Sequence, residues 1–326
     1  MLARLQRAAS LLWLGALLAV IAAVAHAGRV AWWHAALLVP LLGGHALVLA
    51  GEFTLLRREH ARISGETIAW RTLARAWARE MTVAVPTFLW RQPWATHAVP
   101  DFLPPAAHGR RGVVLVHGFI CNRALWAPWM RRLRARGTPC VAVTLEPVFG
   151  SIDDYAATIE GAVRQLEAAT GLAPVVVAHS MGGLAVRAWM RAQDAAVARE
   201  VAKGAGAGGM PPRADHRVHR VLTLGTPHRG TRVARIGLGE NARQMQPGSP
   251  WLEALGATED AERRARFTCG WSECDQIVLP VPTAVLPGAA EWRLPGVAHV
   301  ALAQDERVWE ALVRLLPPCV EVARPS

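Results

Sequence analysis

The segment that most constrains this chain is residues 174–183, a β-branched run that ends in a serine flanked by small residues. The run predicts a strand, a sharp turn with Ser180 at its tip, and a helix. Such a turn crowds the residues two positions before and after the serine, where Ala178 and Gly182 are both small. A serine hydroxyl is a weak nucleophile and needs a nearby base and preset N–H donors. The segment matches G-x-S-x-G with alanine in the first position, and predicts a nucleophilic serine.

Two uncharged, apolar runs lie near the N-terminus, at residues 8–28 and 30–51. Each has about the 20 residues that a helix needs to cross a bilayer. Arg4 and Arg7 precede the first run and Arg57 and Arg58 follow the second, so the positive-inside rule predicts that both ends face the cytoplasm. Residues 1–52 are therefore predicted to form a two-helix membrane anchor.

A secretory signal peptide is the alternative for the first run, because residues 25–27 resemble an A-x-A cleavage site. If the second run then inserts from the outside, the remainder is again cytoplasmic. If the second run, which contains His34, Pro40 and His45, does not insert, the remainder lies in the periplasm.

Residues 53–111 are predicted to be a basic, proline-rich connector. Between positions 64 and 80, apolar residues and arginines recur at helical spacing: Ile68, Trp70, Leu73 and Trp77, with Arg71, Arg75 and Arg79. The pattern predicts an amphipathic helix that lies on anionic lipid or, equally, one that packs its apolar residues onto the rest of the protein. The net charge of +11 does not indicate nucleic-acid binding, because nearly all basic residues are arginine and no nucleic-acid motif accompanies them.

Five widely spaced cysteines predict reduced thiols rather than a disulfide framework or a zinc site: Cys121, Cys140, Cys269, Cys274 and Cys319. Cys269 and Cys274 are close enough in sequence to pair in an oxidising compartment, so that alternative stays open.

Residues 112–326 alternate strand-like and helix-like segments, and strand-like runs occur at 112–117, 139–145, 174–179, 218–224 and 266–271. This alternation predicts parallel βαβ units with right-handed crossovers. The irregular segment 231–265 predicts either a cap over an apolar site or a surface excursion.

A serine at such a turn is followed along the chain first by an acid and then by a histidine. Of the twelve histidines, only His299 lies beyond the last plausible acid loop, in a glycine-containing loop before a predicted helix. Asp275 follows the predicted 266–271 strand and is the expected partner that orients the imidazole. Glu273 is the alternative acid.

Attack on an acyl carbon places negative charge on the carbonyl oxygen, which two backbone N–H groups can stabilise. The expected donors are Met181, after the nucleophile, and Phe119, in the loop after the first strand. His117 and Cys121 flank that loop, and both are predicted to be structural rather than reactive.

These motifs resemble the bacterial lipase and esterase branch of the α/β-hydrolases over residues 113–316: Val116-His117-Gly118-Phe119, Ala178-His179-Ser180-Met181-Gly182-Gly183, Gly225-Thr226-Pro227-His228-Arg229-Gly230, Asp275 and Gly296-Val297-Ala298-His299. The resemblance implies an α/β-hydrolase fold, in which helices flank a mostly parallel central sheet. It also implies a serine hydrolase of lipid-like carboxylic esters that uses neither a cofactor nor a metal. Combined with the N-terminal helices, it predicts an enzyme at a bacterial inner membrane, in contact with an anionic lipid surface. The alternatives are an acyltransferase or thioesterase with the same three residues, and a non-catalytic membrane-bound binding module.

Overall fold

The computed structural model of the chain describes residues 1–202 and 213–316. It begins with two long helices, α1 (Leu2–Ala27) and α2 (Trp32–Ser64). Both have the length and hydropathy of membrane spans, and few of their side chains are buried. Two N-terminal apolar helices are thus present as predicted. Residues 204–213, whose glycines, alanines and prolines predict a loop, lie mostly outside the described residues, as does Cys319.

Within the described ranges, six strands form one sheet in the order β2-β1-β3-β4-β5-β6, and every adjacent pair is parallel. The strands are β1 (Val113–Val116), β2 (Cys140–Ala142), β3 (Val175–His179), β4 (Arg220–Leu224), β5 (Phe267–Trp271) and β6 (Ala290–Arg293). The predicted parallel βαβ arrangement is confirmed. Because parallel strands all end at one edge, the residues that follow β1, β3 and β5 meet there.

The remaining helices include several single turns: α3 (Trp70–Pro86), a π-helical turn (Thr87–Arg91), α4 (Gln92–Trp94), α5 (Ala127–Ala135), α6 (Ala156–Thr170), α7 (Met181–Ala202), α8 (Glu240–Gln244), α9 (Pro250–Ala257), α10 (Ala261–Ala265), α11 (His299–Leu302) and α12 (Glu306–Arg314). Val114 and Val176 pack with α6 and α7, whereas Val113 and Val175 pack with α5 and α12. Both faces of the central strands are therefore covered, which explains their continuous apolar sequences.

Strand β6 was not indicated by the sequence pattern. It is an edge strand that contains Glu291 and Arg293 and is largely exposed, so it lacks the apolar run that identifies β1 and β3. The sequence predicts a single helix at 122–136, whereas the structure has a 3-10 turn, Arg123–Trp126, followed by α5.

Helix α3 packs against the rest of the protein. Leu73 and Ala76 are buried in a cluster with Phe53 and Leu56 of α2 and with Ala298, which precedes His299. Arg71 and Arg75 remain exposed. Of the two predicted roles for this helix, the structure therefore contains the packed one. The helix begins at Trp70 rather than near residue 64, because Gly65, with φ of 75°, ends α2 there.

The segment 231–265 contains a 3-10 turn, Arg232–Ile236, and helices α8, α9 and α10. Its apolar residues Met245, Leu252 and Leu255 are buried in the cluster that includes α6 and α7. The segment is therefore packed onto the helical layer. A capping role for it stays a prediction.

We expect Leu56→Ala to lower the free energy of unfolding by about 2–5 kcal/mol, because the side chain is fully buried between α2 and α3. Leu55→Ala is the matched control. The Leu55 side chain is 58% exposed, so this substitution should change stability by no more than about 0.5 kcal/mol. Thermal unfolding of the detergent-purified protein measures both. Equal effects of the two variants would contradict the packing of α2 described here.

Candidate active site

Ser180 lies between the end of β3 and the start of α7, at the carboxyl edge of the sheet. Its φ is 56°, in the left-handed region, and its backbone N–H donates to Leu224 O at 2.8 Å. A Cβ on Gly182 would lie 2.5 Å from His117 O, so only glycine fits two residues after the serine. Strained backbone of this kind concentrates at functional sites.

The structure brings Ser180, His299 and Asp275 into one hydrogen-bonded chain. His299 Nε2 lies 2.9 Å from Ser180 Oγ, and His299 Nδ1 lies 2.9 Å from Asp275 Oδ2. Asp275 Oδ1 also accepts hydrogen bonds from the backbone N–H groups of Ile277 and Val278. All three side chains are buried. The hydroxyl therefore contacts an imidazole that a carboxylate orients.

Glu273, the alternative acid, has other partners. Its carboxylate accepts from Gly296 N at 3.0 Å and lies 3.5 Å from Arg293 Nε. Only Asp275 of the two acids hydrogen bonds to the His299 ring.

The charges of the buried pair oppose the effect of desolvation. Burial lowers the pKa of His299, but the negative charge and hydrogen bond of Asp275, with a contribution from Glu80, outweigh it and raise that pKa. Burial raises the pKa of Asp275, and the imidazole together with two backbone N–H donors outweighs it and lowers that pKa. The arrangement therefore favours an imidazolium beside a carboxylate.

Gly225 follows β4 and lies against the acid and the histidine. Its φ is 55°, and a Cβ there would lie 2.7 Å from Asp275 Oδ2 and 3.0 Å from His299 Nδ1. A side chain at this position would therefore displace the two groups that hydrogen bond to each other.

The two predicted N–H donors, Met181 and Phe119, lie on separate segments of the chain near Ser180. Met181 begins α7 directly after the serine, and Phe119 follows β1 and lines the cavity beside Ser180. His117 Nε2 accepts from Leu145 N at 2.9 Å, and burial lowers the pKa of His117 to about 4. A neutral, fully bonded imidazole fits a structural role for His117.

A cavity of about 270 Å³ opens in front of Ser180 and His299. Helix α2 contributes His45, Leu49 and Glu52 to its lining, and α3 contributes Glu80 and Ala84. Helix α2 is thus part of the site as well as of the apolar hairpin. From the segment 231–265, Val233 reaches the cavity.

The described cysteines are buried free thiols, so Cys269 and Cys274 are not paired. Cys121 lines the cavity, and burial raises the pKa of its thiol to about 12. A thiol that stays protonated is a poor nucleophile. This environment fits packing rather than reactivity.

One cluster with metal-ligand side chains lies elsewhere: Asp215, His216 and Glu262. It precedes β4 and β5, at the amino edge of the sheet, whereas Ser180 is at the carboxyl edge. Asp215 already accepts a hydrogen bond from Arg213. The cluster is therefore separate from the Ser180 site.

Three polar residues of the site were not indicated by sequence reasoning: Glu52, Glu80 and Gln276. Glu80 accepts hydrogen bonds from Val300 N and Ala301 N, although it lies some 220 residues earlier in the chain. The available signal was a lone acid in an arginine-rich helical pattern, which by itself predicts a solvated charge.

We expect Gly225→Ala to abolish the contact between Asp275 and His299 and to slow the labelling of Ser180 by a fluorophosphonate. Gly296→Ala is the matched control: its φ is 74°, but a Cβ there meets nothing within 4 Å. Both variants carry the strain of a left-handed residue, about 1–2 kcal/mol, and only the first disturbs the site. Equal labelling rates in the two variants would contradict this geometry.

Comparison with known proteins agrees with this architecture. Residues 113–323 match the model of the alpha/beta hydrolase family. The structure is similar to that of the Bacillus licheniformis lipase BlEst2 in its mature form, with a TM-score of 0.53 and 16% identity over 67% of this chain and 97% of that chain. The carboxylesterase CesB of Bacillus subtilis gives a TM-score of 0.38 and 15% identity over 66% of this chain and 85% of that one. No curated protein sequence matches this chain. Because the family model spans most of the chain, the protein belongs to the alpha/beta hydrolase family, as its motifs predict.

Proposed function

We propose that this protein is a membrane-anchored serine hydrolase that cleaves carboxylic esters of lipid-like substrates. The observation that carries the proposal is the chain of hydrogen bonds from Ser180 Oγ through His299 to Asp275, each about 2.9 Å. It lies beside a cavity partly lined by α2, one of the two long apolar helices.

In the proposed reaction, Ser180 Oγ attacks the ester carbonyl carbon while its proton passes to His299 Nε2. Asp275 stabilises the resulting imidazolium. The backbone N–H groups of Met181 and Phe119 stabilise the oxyanion. His299 then protonates the leaving alcohol as the C–O bond breaks. Water, deprotonated by His299, then attacks the acyl carbon. The imidazolium returns the proton to Ser180 Oγ as the bond between the acyl carbon and Oγ breaks, and the carboxylic acid is released.

The position of α2 supports a substrate that comes from the bilayer. His45 and Leu49 line the cavity and lie within the uncharged stretch 30–51. Leu42, Leu47 and Val48, nearby on the same helix, are exposed. An acyl chain in the bilayer can therefore reach the cavity along α2 without crossing water, which favours amphiphilic esters such as phospholipids, lysolipids or acylglycerols.

Contacts of α1 support an uncleaved hairpin whose two ends lie on one side of the membrane. Arg7 Nε donates to Pro93 O, and Gln6 Nε2 donates to Gln92 Oε1 at 2.9 Å. Cleavage after residue 27 would remove these contacts. With arginines at both ends of the hairpin, we assign the site to the cytoplasmic face of a bacterial inner membrane.

We expect Ser180→Ala to lower the kcat for hydrolysis of acyl esters by roughly 10⁴-fold or more. Asp275→Asn should lower kcat by about 10⁴-fold, because the imidazole loses the partner that sets its tautomer. Glu273→Gln is the matched control and should keep most of the activity, since Glu273 contacts Gly296 rather than His299.

The assay uses detergent-purified full-length protein and ester chains from short to long. A preference for long chains supports a lipid substrate. Transfer of the acyl group to an added alcohol or thiol in place of water would instead identify an acyltransferase. Turnover that survives Ser180→Ala would contradict the proposed mechanism, and failure of Ser180 to react with a fluorophosphonate would favour a non-catalytic binding module.

Reporter fusions test the proposed orientation. We expect alkaline phosphatase to be inactive when fused after residue 326 and active when fused between α1 and α2, near Arg29. The second fusion controls for expression and export. An active enzyme at the C-terminal junction would instead place the site in the periplasm.

A further inference from the structure

Glu80 is a buried acid in α3, outside the residues that match the family model. Its carboxylate accepts hydrogen bonds from the backbone N–H groups of Val300, at 2.8 Å, and Ala301, at 2.9 Å. Gln276 Nε2 donates a third at 3.2 Å. Burying a charge is costly unless hydrogen bonds replace the lost water. Three donors converge on this carboxylate, and all of them belong to the segments that carry Asp275 and His299.

The same network reaches the backbone of the histidine. Gln276 Oε1 accepts from His299 N at 3.1 Å, so one amide side chain bridges Glu80 and His299. The N–H groups of residues 299, 300 and 301 all lie in the first turn of α11, where no intrahelical acceptor exists. Gln276 also directly follows Asp275. One network thus holds both the histidine loop and the acid loop.

We propose that Glu80 is a positioning residue, which holds the backbone at 299–301 so that His299 Nε2 stays within hydrogen-bond reach of Ser180. This inference rests on the proposed function, in which His299 is the base. A misplacement of about 1 Å at a reacting group can cost about 100-fold in rate.

Four titratable groups face His299: Asp275 after β5, Glu80 in α3, Glu52 in α2 and His179 at the end of β3. Burial lowers the pKa of His299, and the negative charges, that of Asp275 first, outweigh it. Burial raises the pKa of Glu80 above its ordinary value, and its three N–H donors offset that rise only in part. Because all three contacts are N–H groups that donate to the carboxylate oxygens, they favour the charged form. Loss of the charge at position 80 therefore lowers the pKa of His299. Since the base must be neutral, the acid limb of the pH–rate profile should move to lower pH.

Glu80→Gln tests this role in the full-length protein. The amide cannot accept from all three donors, and it removes the charge. With a short, water-soluble ester we expect kcat to fall about 10- to 100-fold, little change in KM, and a shift of the acid limb to lower pH. Glu80→Asp keeps the charge but shortens the side chain, so the limb should return toward that of the wild type while kcat stays reduced.

Arg79→Gln is the matched control. Arg79 is the preceding residue of α3 and pairs with Asp305 at 2.9 Å, so the variant weakens the attachment of the same helix without touching His299. It should keep the wild-type kcat and acid limb. If Arg79→Gln reproduces the effects of Glu80→Gln, or if Glu80→Gln is kinetically wild type, Glu80 serves only to attach α3 and the proposal is overturned.

Histidine NMR titration separates this proposal from the proposed function, because it needs no substrate. We expect the pKa of His299 to be lower in Glu80→Gln than in the wild type. An unchanged His299 titration would overturn the positioning role. A shifted titration in a protein that hydrolyses no ester would count against the proposed function alone.

Discussion

The hydrogen bond between Ser180 Oγ and His299 Nε2 joins residues 119 positions apart, and much of the architecture serves to hold these two atoms 2.9 Å from each other. Ser180 lies in the left-handed turn between β3 and α7. Strand β3 is a central strand of a sheet that is covered on both faces, and it holds this turn in place. His299 lies in a loop after the exposed edge strand β6, so its position needs more support. Asp275 orients its ring, and the network of Gln276 and Glu80 holds its backbone.

The N-terminal helices form the apolar hairpin and also contribute residues to the active site. Their apolar residues form a hairpin with the dimensions of a membrane anchor, yet α2 lines the cavity and α3 supplies a buried carboxylate to the histidine loop. The part of the chain that matches the alpha/beta hydrolase family is therefore not the whole site. If α2 spans the bilayer as proposed, a cavity that this helix helps to line is placed to take its substrate directly from the bilayer.

A second buried charge network joins α7 to the segment 231–265. Arg187 of α7 makes a bidentate ion pair with Glu259, at 2.6 and 2.9 Å, and also donates to His228 O. Both partners are almost fully buried, and planar fork geometry of this kind is among the strongest hydrogen bonding in proteins. The pair links α7, which begins next to Ser180, to the segment 231–265. This ion pair attaches the segment to the helical layer.

Features that depend on neighbours along the chain are predicted from the sequence: apolar runs for the buried strands, the small residues around Ser180, and two uncharged runs of spanning length. Chain order predicts His299 and, with Glu273 as the alternative, Asp275; the structure joins these two residues and Ser180 by hydrogen bonds, while their chemical roles stay proposals. The exposed strand β6, the exclusion of Glu273 as partner of the histidine and the packing of α3 follow from the tertiary structure alone. It alone revealed Glu80 and Gln276, because a buried acid is recognised by the donors that surround it. Those donors lie up to 221 residues away, so no local pattern records them.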